Sequence, residues 1–160
     1  MAWKARFVIP GFPHHVHLIL VPQTEDGLRA ALGEAHRQYT RLINSRDKCT
    51  GHLWQERFHS FVMDESHTLD CARYVERNPV AAGMVKQVRS YKWSSARAHL
   101  RGKDDGLVSV EPLLARVPDW AKFLRGGSRS VEAEKMRLHT STGRPLGADD
   151  WVSDLEAQSG

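Results

Sequence analysis

The sequence contains little cysteine and no long apolar run. Its 160 residues include two cysteines, Cys49 and Cys71, and neither belongs to a CxxC pair. Small secreted domains that depend on disulfides carry more cysteines, so this pair predicts a reducing cytoplasm. The longest apolar runs, such as residues 16–22, are far shorter than a membrane span or a signal-peptide core. We therefore expect a cytoplasmic protein with no membrane partner.

The chain is long enough for one compact domain. Its charge is unevenly distributed along the sequence. The net charge is +4, but residues 1–103 hold 16 Lys and Arg against 9 Asp and Glu, whereas residues 104–160 hold 7 against 10. The basic part is the expected nucleic-acid face. A solvated basic surface without a partner explains the same charge. The charge alone therefore does not distinguish this surface from a nucleic-acid-binding face.

Two segments have the alternating pattern of β-strands. Residues 15–21, rich in Val, Ile and Leu, predict a buried strand, and alternation places His15, His17 and Ile19 on one face. Residues 53–63 alternate similarly and predict a second strand. The strand at residues 15–21 therefore brings two imidazoles side by side.

Helices are predicted elsewhere by apolar residues at three- and four-residue spacing. The expected helices cover residues 26–43, a segment from Ser66 or Thr68 to about Asn78, and residues 112–124, 131–138 and 149–157. Pro79 disfavours helical geometry in the residue before it, so the second helix should end near Asn78. At helical spacing His67, Cys71, Tyr74 and Asn78 share a stripe, so Tyr74 and Asn78 should project together.

These side chains suit phosphoryl chemistry, although none is specific alone. Two histidines at positions i and i+2 of a strand can bind one divalent ion, but the pattern also arises through packing or chance. A tyrosine hydroxyl is a weak nucleophile because its ordinary pKa is about 10, and a cation that polarises a phosphate would help it attack. From periodicity alone, Tyr74 is more often a packing residue.

Five motifs in order resemble the IS200-like (Y1) HUH transposases, in the REP-associated tyrosine transposase branch. The motifs are PHHVHLIL at residues 13–20, GHLWQERF at 51–58, ARYVERNPVAAG at 72–83, WSSA at 93–96 and GRPLG at 143–147. The resemblance covers nearly the whole chain. It implies an α+β fold with a ferredoxin-like or RRM-like antiparallel sheet, helices packed on it, and a helical C-terminal extension.

The resemblance also implies an activity, which is cleavage and rejoining of single-stranded DNA near hairpins through a 5′-phosphotyrosine. His15, His17 and Asn78 would be ligands of Mg²⁺ or Mn²⁺, and Tyr74 the nucleophile. The residues expected to contact DNA are Arg41, Arg57, Arg73 and Arg77. The implied catalytic domain covers residues 1–103, with the extension and tail at 104–160, and the implied location is the nucleoid.

One departure from the family pattern concerns the amino-terminal part. Residues 6–16 resemble the opening strand of relatives, yet residues 15–20 already resemble their metal-binding strand. A strand and a helix that normally lie between the two are therefore missing. Their loss should expose a sheet edge, which predicts an incomplete sheet and a homodimer that covers the edge.

Two other functions are compatible with the sequence. A non-catalytic remnant would bind hairpin or single-stranded DNA through basic and aromatic side chains, with salt-sensitive binding and no cleavage. A zinc-stabilised domain built on His15 and His17 is less favoured, because no thiolate lies at a metal-site spacing.

Overall fold

The computed structural model describes residues 7–11, 15–55, 58–126 and 129–159, with two strands and seven α-helices among them. They divide into two compact units. One combines the described residues up to Leu20 with those from Phe61 onward, and the other spans Val21–Ser60.

The first unit begins with a two-stranded antiparallel ribbon. Strand β1 (Phe7–Gly11) pairs with strand β2 (Val16–Ile19), and the register is irregular before Gly11. The predicted strand at residues 15–21 is therefore confirmed in its central part, and it pairs with the segment just before it.

The prediction that β2 is buried holds for one face only. Ile19 is 5% exposed and lies in the hydrophobic core, but Val16 and Leu18 on the other face are 54% and 38% exposed. The alternation of side chains is as the sequence predicts. Since helix α2 (Glu65–Ala81) packs against the ribbon and the core lies on the Ile19 side, the second face of β2 remains accessible.

Helix α2 is longer at both ends than the sequence predicts. Its N-cap is Asp64 rather than Ser66 or Thr68, because the Asp64 carboxylate accepts a hydrogen bond from the backbone N–H of His67 at 2.8 Å. The predicted end near Asn78 is also wrong. Pro79 lies inside the helix and is fully buried, so its packing outweighs the local preference against helix before proline.

The core of the first unit forms around α2. Residues from both sides of position 103 contribute to it, so the predicted regions 1–103 and 104–160 share one core. A functional boundary at residue 103 stays a prediction. The buried core residues are Ile19, Cys71, Ala72, Val75, Leu113, Trp120, Leu124, Met136 and Leu146.

A carboxylate lies inside this unit. Glu76 on α2 is 1% exposed, and its Oε1 accepts a hydrogen bond from the Ser95 hydroxyl at 2.6 Å. The Nδ1 of His99 lies 2.6 Å from the same oxygen, and the Trp120 indole N–H donates to Oε2 at 2.8 Å. A buried carboxylate is tolerated only when its oxygens are hydrogen-bonded, and here these partners fix two later chain segments to α2, one around residues 95–99 and one at Trp120.

The remaining helices of this unit are short. They are a 3₁₀ turn at Val88–Ser90, then α3 (Ala96–Arg101), α4 (Glu111–Leu114), α5 (Trp120–Arg125), α6 (Arg129–Thr142) and α7 (Asp149–Ser159). Helix α3 was not predicted. The expected helix at 112–124 is divided in two, because Pro118 disfavours helix at the residue before it and Asp119 caps α5. The helices expected at 131–138 and 149–157 are confirmed within α6 and α7.

The second unit is built on helix α1 (Gly27–Asp47), which confirms and extends the predicted helix at 26–43. Trp54 stacks on His36 with ring centroids 4.0 Å apart and donates to the His36 carbonyl at 3.2 Å. Tyr39 is 49% exposed and contacts the same indole. The apolar stripe of α1 is therefore only partly covered.

The second predicted strand, at residues 53–63, is wrong for the residues described there. Only Met63 has β character, in a single bridge to Leu146. The backbone N–H of Leu146 donates to Val62, and that of Asp64 donates to Leu146. An alternating apolar pattern forms a strand only where a partner strand lies alongside it. Here the GRPLG segment pairs through one residue, Leu146.

Among the described residues the fold is rich in helix with a short antiparallel ribbon, and the ferredoxin-like sheet that the resemblance implies is not shown there. The sheet described contains two strands. No described helix is both long enough and apolar enough to cross a membrane.

The Asp64 cap generates a stability prediction. Burial raises the pKa of the Asp64 carboxyl, but hydrogen bonds from His67, Ser66 and the Ala148 backbone outweigh it and hold the pKa well below its usual range. Because the unfolded carboxyl binds protons more readily, this stabilisation is present above about pH 4 and is lost as pH falls further. Asp64→Ala should cost roughly 1–2 kcal/mol at pH 7, measured by denaturant unfolding.

Asp64→Asn separates the cap from the charge, because asparagine also caps helices. It should cost less than the alanine variant at pH 7 and lose less stability between pH 5 and pH 3 than the wild type. Asp154→Ala, an exposed change on α7, serves as the control. An Asp64→Ala protein as stable as this control would contradict the assigned role.

Candidate active site

The predicted metal strand and the predicted nucleophile lie next to each other. The ribbon packs against α2, and the ring of His17 on β2 lies 6.4 Å from the ring of Tyr74, centroid to centroid. The His15 and His17 rings are 4.9 Å apart and nearly perpendicular. The structure thus brings together three of the four residues expected at the centre, from segments far apart in sequence.

The two histidines differ in environment. His15 is exposed, whereas His17 is half-buried between the ribbon and α2. Burial, assisted by the nearby His15, lowers the pKa of His17 to about 4. The His17 imidazole is therefore neutral at pH 7, which is the form of histidine that binds metal ions.

The fourth expected residue, Asn78, lies one turn after Tyr74 on α2. Both line a cavity of about 350 Å³ at the side of the helix. The other lining residues are Arg77, Ala81, Ala82, Ala133 and Arg137. Tyr74 is thus shared by the two parts of the site, since it contacts the His17 ring and also faces the cavity.

The four arginines expected to contact DNA have different surroundings. The Arg73 side chain is 13% exposed, pairs with Asp70 at 2.6 Å, and lies over the Phe123 ring at 4.6 Å. It therefore holds helices together, and its contact with DNA stays a prediction. Arg77 lines the cavity and donates through Nη1 to the Gly126 carbonyl.

The other two arginines belong to the second unit, residues 21–60. Arg41 is exposed on α1 of the second unit, and Arg57 lies outside the described residues. Both remain predictions from the sequence alone.

The expected metal ligands are two histidines and the amide of Asn78. No three His, Cys, Asp or Glu side chains converge as a metal site among the residues that the structure describes. The expected set contains only two side chains of these types. The spacing of the rings is suitable, because centroids 4.9 Å apart allow one ion to bond a nitrogen from each.

Sequence reasoning missed two residues of this region. Arg137 enters the cavity from α6, and nothing in its local sequence marks it, because the predicted helix there is separated from α2 by some fifty residues. Glu76 lies between Tyr74 and Asn78 within ARYVERNPVAAG, and its fixed position in α2 depends on distant partners. The available signal was a charged residue directly after Val75 and four residues after Ala72, which places it beside apolar side chains of the predicted helix.

Comparison with known proteins adds no match to this geometry. No family model, no curated protein and no solved structure matches the chain. Family membership is therefore supported by the sequence motifs alone.

Cys71, which the sequence places on one stripe with Tyr74 and Asn78, is buried in the core instead. Burial, with a smaller effect from Asp70, raises the pKa of its thiol to about 12, whereas Cys49 is exposed. Because the thiolate is the reactive form, one thiol should react rapidly with a maleimide at pH 7.5.

Cys49→Ser should abolish this rapid labelling until a denaturant is added, whereas Cys71→Ser should retain it. Rapid labelling of the folded Cys49→Ser protein would show that Cys71 faces solvent and would contradict its place in the core.

Proposed function

We propose that the chain is a tyrosine transposase of the HUH class that cleaves and rejoins single-stranded DNA through a 5′-phosphotyrosine. The observation that carries this proposal is the position of Tyr74, whose ring contacts His17 of the His-x-His strand. The same tyrosine faces a cavity lined by Asn78 and two arginines. The motifs predict that Tyr74 lies beside the His-x-His strand. A tyrosine that served only in packing would not need to contact that strand.

His15, His17 and Asn78 are the residues that would hold Mg²⁺ or Mn²⁺. The two rings are close enough to share an ion, and His17 is neutral at physiological pH because of its burial. When bound, the ion would polarise the scissile phosphate and stabilise the negative charge that develops on it.

The chain's own residues supply the covalent step. The Tyr74 oxygen attacks phosphorus, a tyrosyl O–P bond forms, and the bond from phosphorus to the 3′ oxygen breaks. The tyrosine proton goes to solvent or to the departing oxygen, which leaves as a 3′ hydroxyl. Attack by a 3′ hydroxyl reverses the step and releases Tyr74, so the phosphodiester energy is conserved.

The substrate that we propose is single-stranded DNA flanked by hairpins, encountered in the nucleoid. The cationic lining of the Tyr74 cavity supports a phosphate-bearing ligand. The hairpin preference derives from the motifs and has no counterpart among the described residues.

We also propose that the ribbon is the remnant of a ferredoxin-like sheet. Strand β1 leads directly into β2, as expected if the strand and helix between them in relatives are missing. The exposed Val16 and Leu18 are then side chains that a complete fold or a second copy of the chain would cover.

Binding of Mn²⁺ should be visible at the histidines. Because the ion is paramagnetic, it should broaden the ring signals of His15 and His17 in NMR spectra before those of His99, which is buried in the Glu76 network. His15→Ala should weaken the broadening at His17, whereas His52→Ala should leave it unchanged. Equal broadening of all histidines would contradict a specific site.

The nucleophile is tested by a covalent adduct. Incubation with Mn²⁺ and a labelled single strand carrying hairpins should give a denaturation-resistant protein–DNA adduct. Tyr74→Phe should abolish it, because phenylalanine has no oxygen to attack phosphorus. Tyr39→Phe and Tyr91→Phe are matched controls that should retain it.

An adduct that survives Tyr74→Phe would refute the assigned nucleophile. Salt-sensitive binding without an adduct in the wild type would instead favour the non-catalytic remnant, which uses the same basic cavity.

A further inference from the structure

Helix α6 forms one wall of the Tyr74 cavity. Ala133 and Arg137, one turn apart on the same face of α6, both line it. Met136, the residue before Arg137, is buried in the core and fixes this part of the helix against the rest of the unit. The backbone that carries Arg137 is therefore held in place beside α2.

The cavity lining is suited to an anion. Its lining residues are Tyr74, Asn78, Arg77, Arg137 and three alanines, so its polar lining residues are one tyrosine, one asparagine and two arginines. No carboxylate belongs to the lining that the structure describes. Two positive charges therefore meet at one cavity without an acidic residue in its wall.

Arg137 itself is available for a ligand. It is exposed and forms no ion pair with the described residues, and its Nε donates only to the Ala133 carbonyl, at 3.3 Å. Its two terminal nitrogens carry donors in the planar arrangement that matches two oxygens of a phosphate. This distinguishes Arg137 from Arg73, whose charge is already paired with Asp70.

We infer that Arg137 is a phosphate-binding residue that holds a phosphodiester of single-stranded DNA in the cavity beside Tyr74, together with Arg77. The inference rests on the proposed function for the identity of its ligand. It places part of the DNA site in the C-terminal region, which the sequence treats as an extension outside the catalytic domain.

The test measures binding without catalysis. The affinity of a fluorescein-labelled single-stranded 12-mer of thymidine is measured by anisotropy in EDTA, over a series of salt concentrations. Arg137→Gln should weaken binding roughly three- to tenfold at low salt and lower the slope of log Kd against log salt by about one. Its thermal stability should be unchanged, because the side chain is exposed.

Lys135→Gln is the matched control, since it removes one positive charge from an exposed position of the same helix that does not line the cavity. It should change the affinity much less than Arg137→Gln. Equal effects of the two variants, no effect of Arg137→Gln, or a wild type that does not bind the 12-mer would overturn the inference.

The outcome can be separated from that of the proposed function. Binding that depends on Arg137, in a protein that forms no tyrosine adduct with Mn²⁺, would retain the phosphate site and reject the transposase. An adduct that forms while Arg137→Gln binds like Lys135→Gln would reject the phosphate site alone.

Discussion

The first unit depends most on the hydrogen-bond network around the buried carboxylate of Glu76. This carboxylate is enclosed by Ser95, His99 and Trp120, three partners from segments that follow α2 in sequence. Removing one partner would leave a buried carboxylate oxygen without that hydrogen bond. This lowers folding stability far more than loss of an exposed contact does. Glu76 also lies two residues from both Tyr74 and Asn78, so the network that satisfies this carboxylate fixes the part of α2 that faces the site.

The site is therefore assembled by packing on α2. His17 is brought to Tyr74 because Ile19, two residues along the same strand face, is buried in the core with Ala72 and Val75. Arg137 is brought to the other side of Tyr74 because Met136 belongs to that same core. Tyr74 and Arg137 adjoin core residues in sequence and His17 lies two positions from one, so one hydrophobic cluster positions groups from three distant segments.

The sequence predicted the elements that depend on local patterns and missed those that depend on distant partners. The His15 and His17 face of β2, the spacing of Tyr74 and Asn78, and helices α1, α6 and α7 follow from periodicity. The end of α2 was wrong because burial of Pro79 outweighs a local preference, and the strand at residues 53–63 was wrong because one bridge to Leu146 is its only described pairing. Arg137 was missed because no local pattern links α6 to α2.

This organisation separates the integrity of the fold from the chemistry of the site. The core and the Glu76 network hold Tyr74 beside His17, and the groups proposed to act lie at the boundary of that core. Arg137 and His15 are exposed, so changing either should remove only the ligand contact proposed for it and leave the packing intact. We expect changes at Glu76 or Trp120 to act in the opposite way, because loss of their hydrogen bonds should displace Tyr74 and Asn78 together. A change at a buried residue would therefore impair function by displacing the site residues. A change at an exposed residue would impair function by removing a group proposed to bind the ligand.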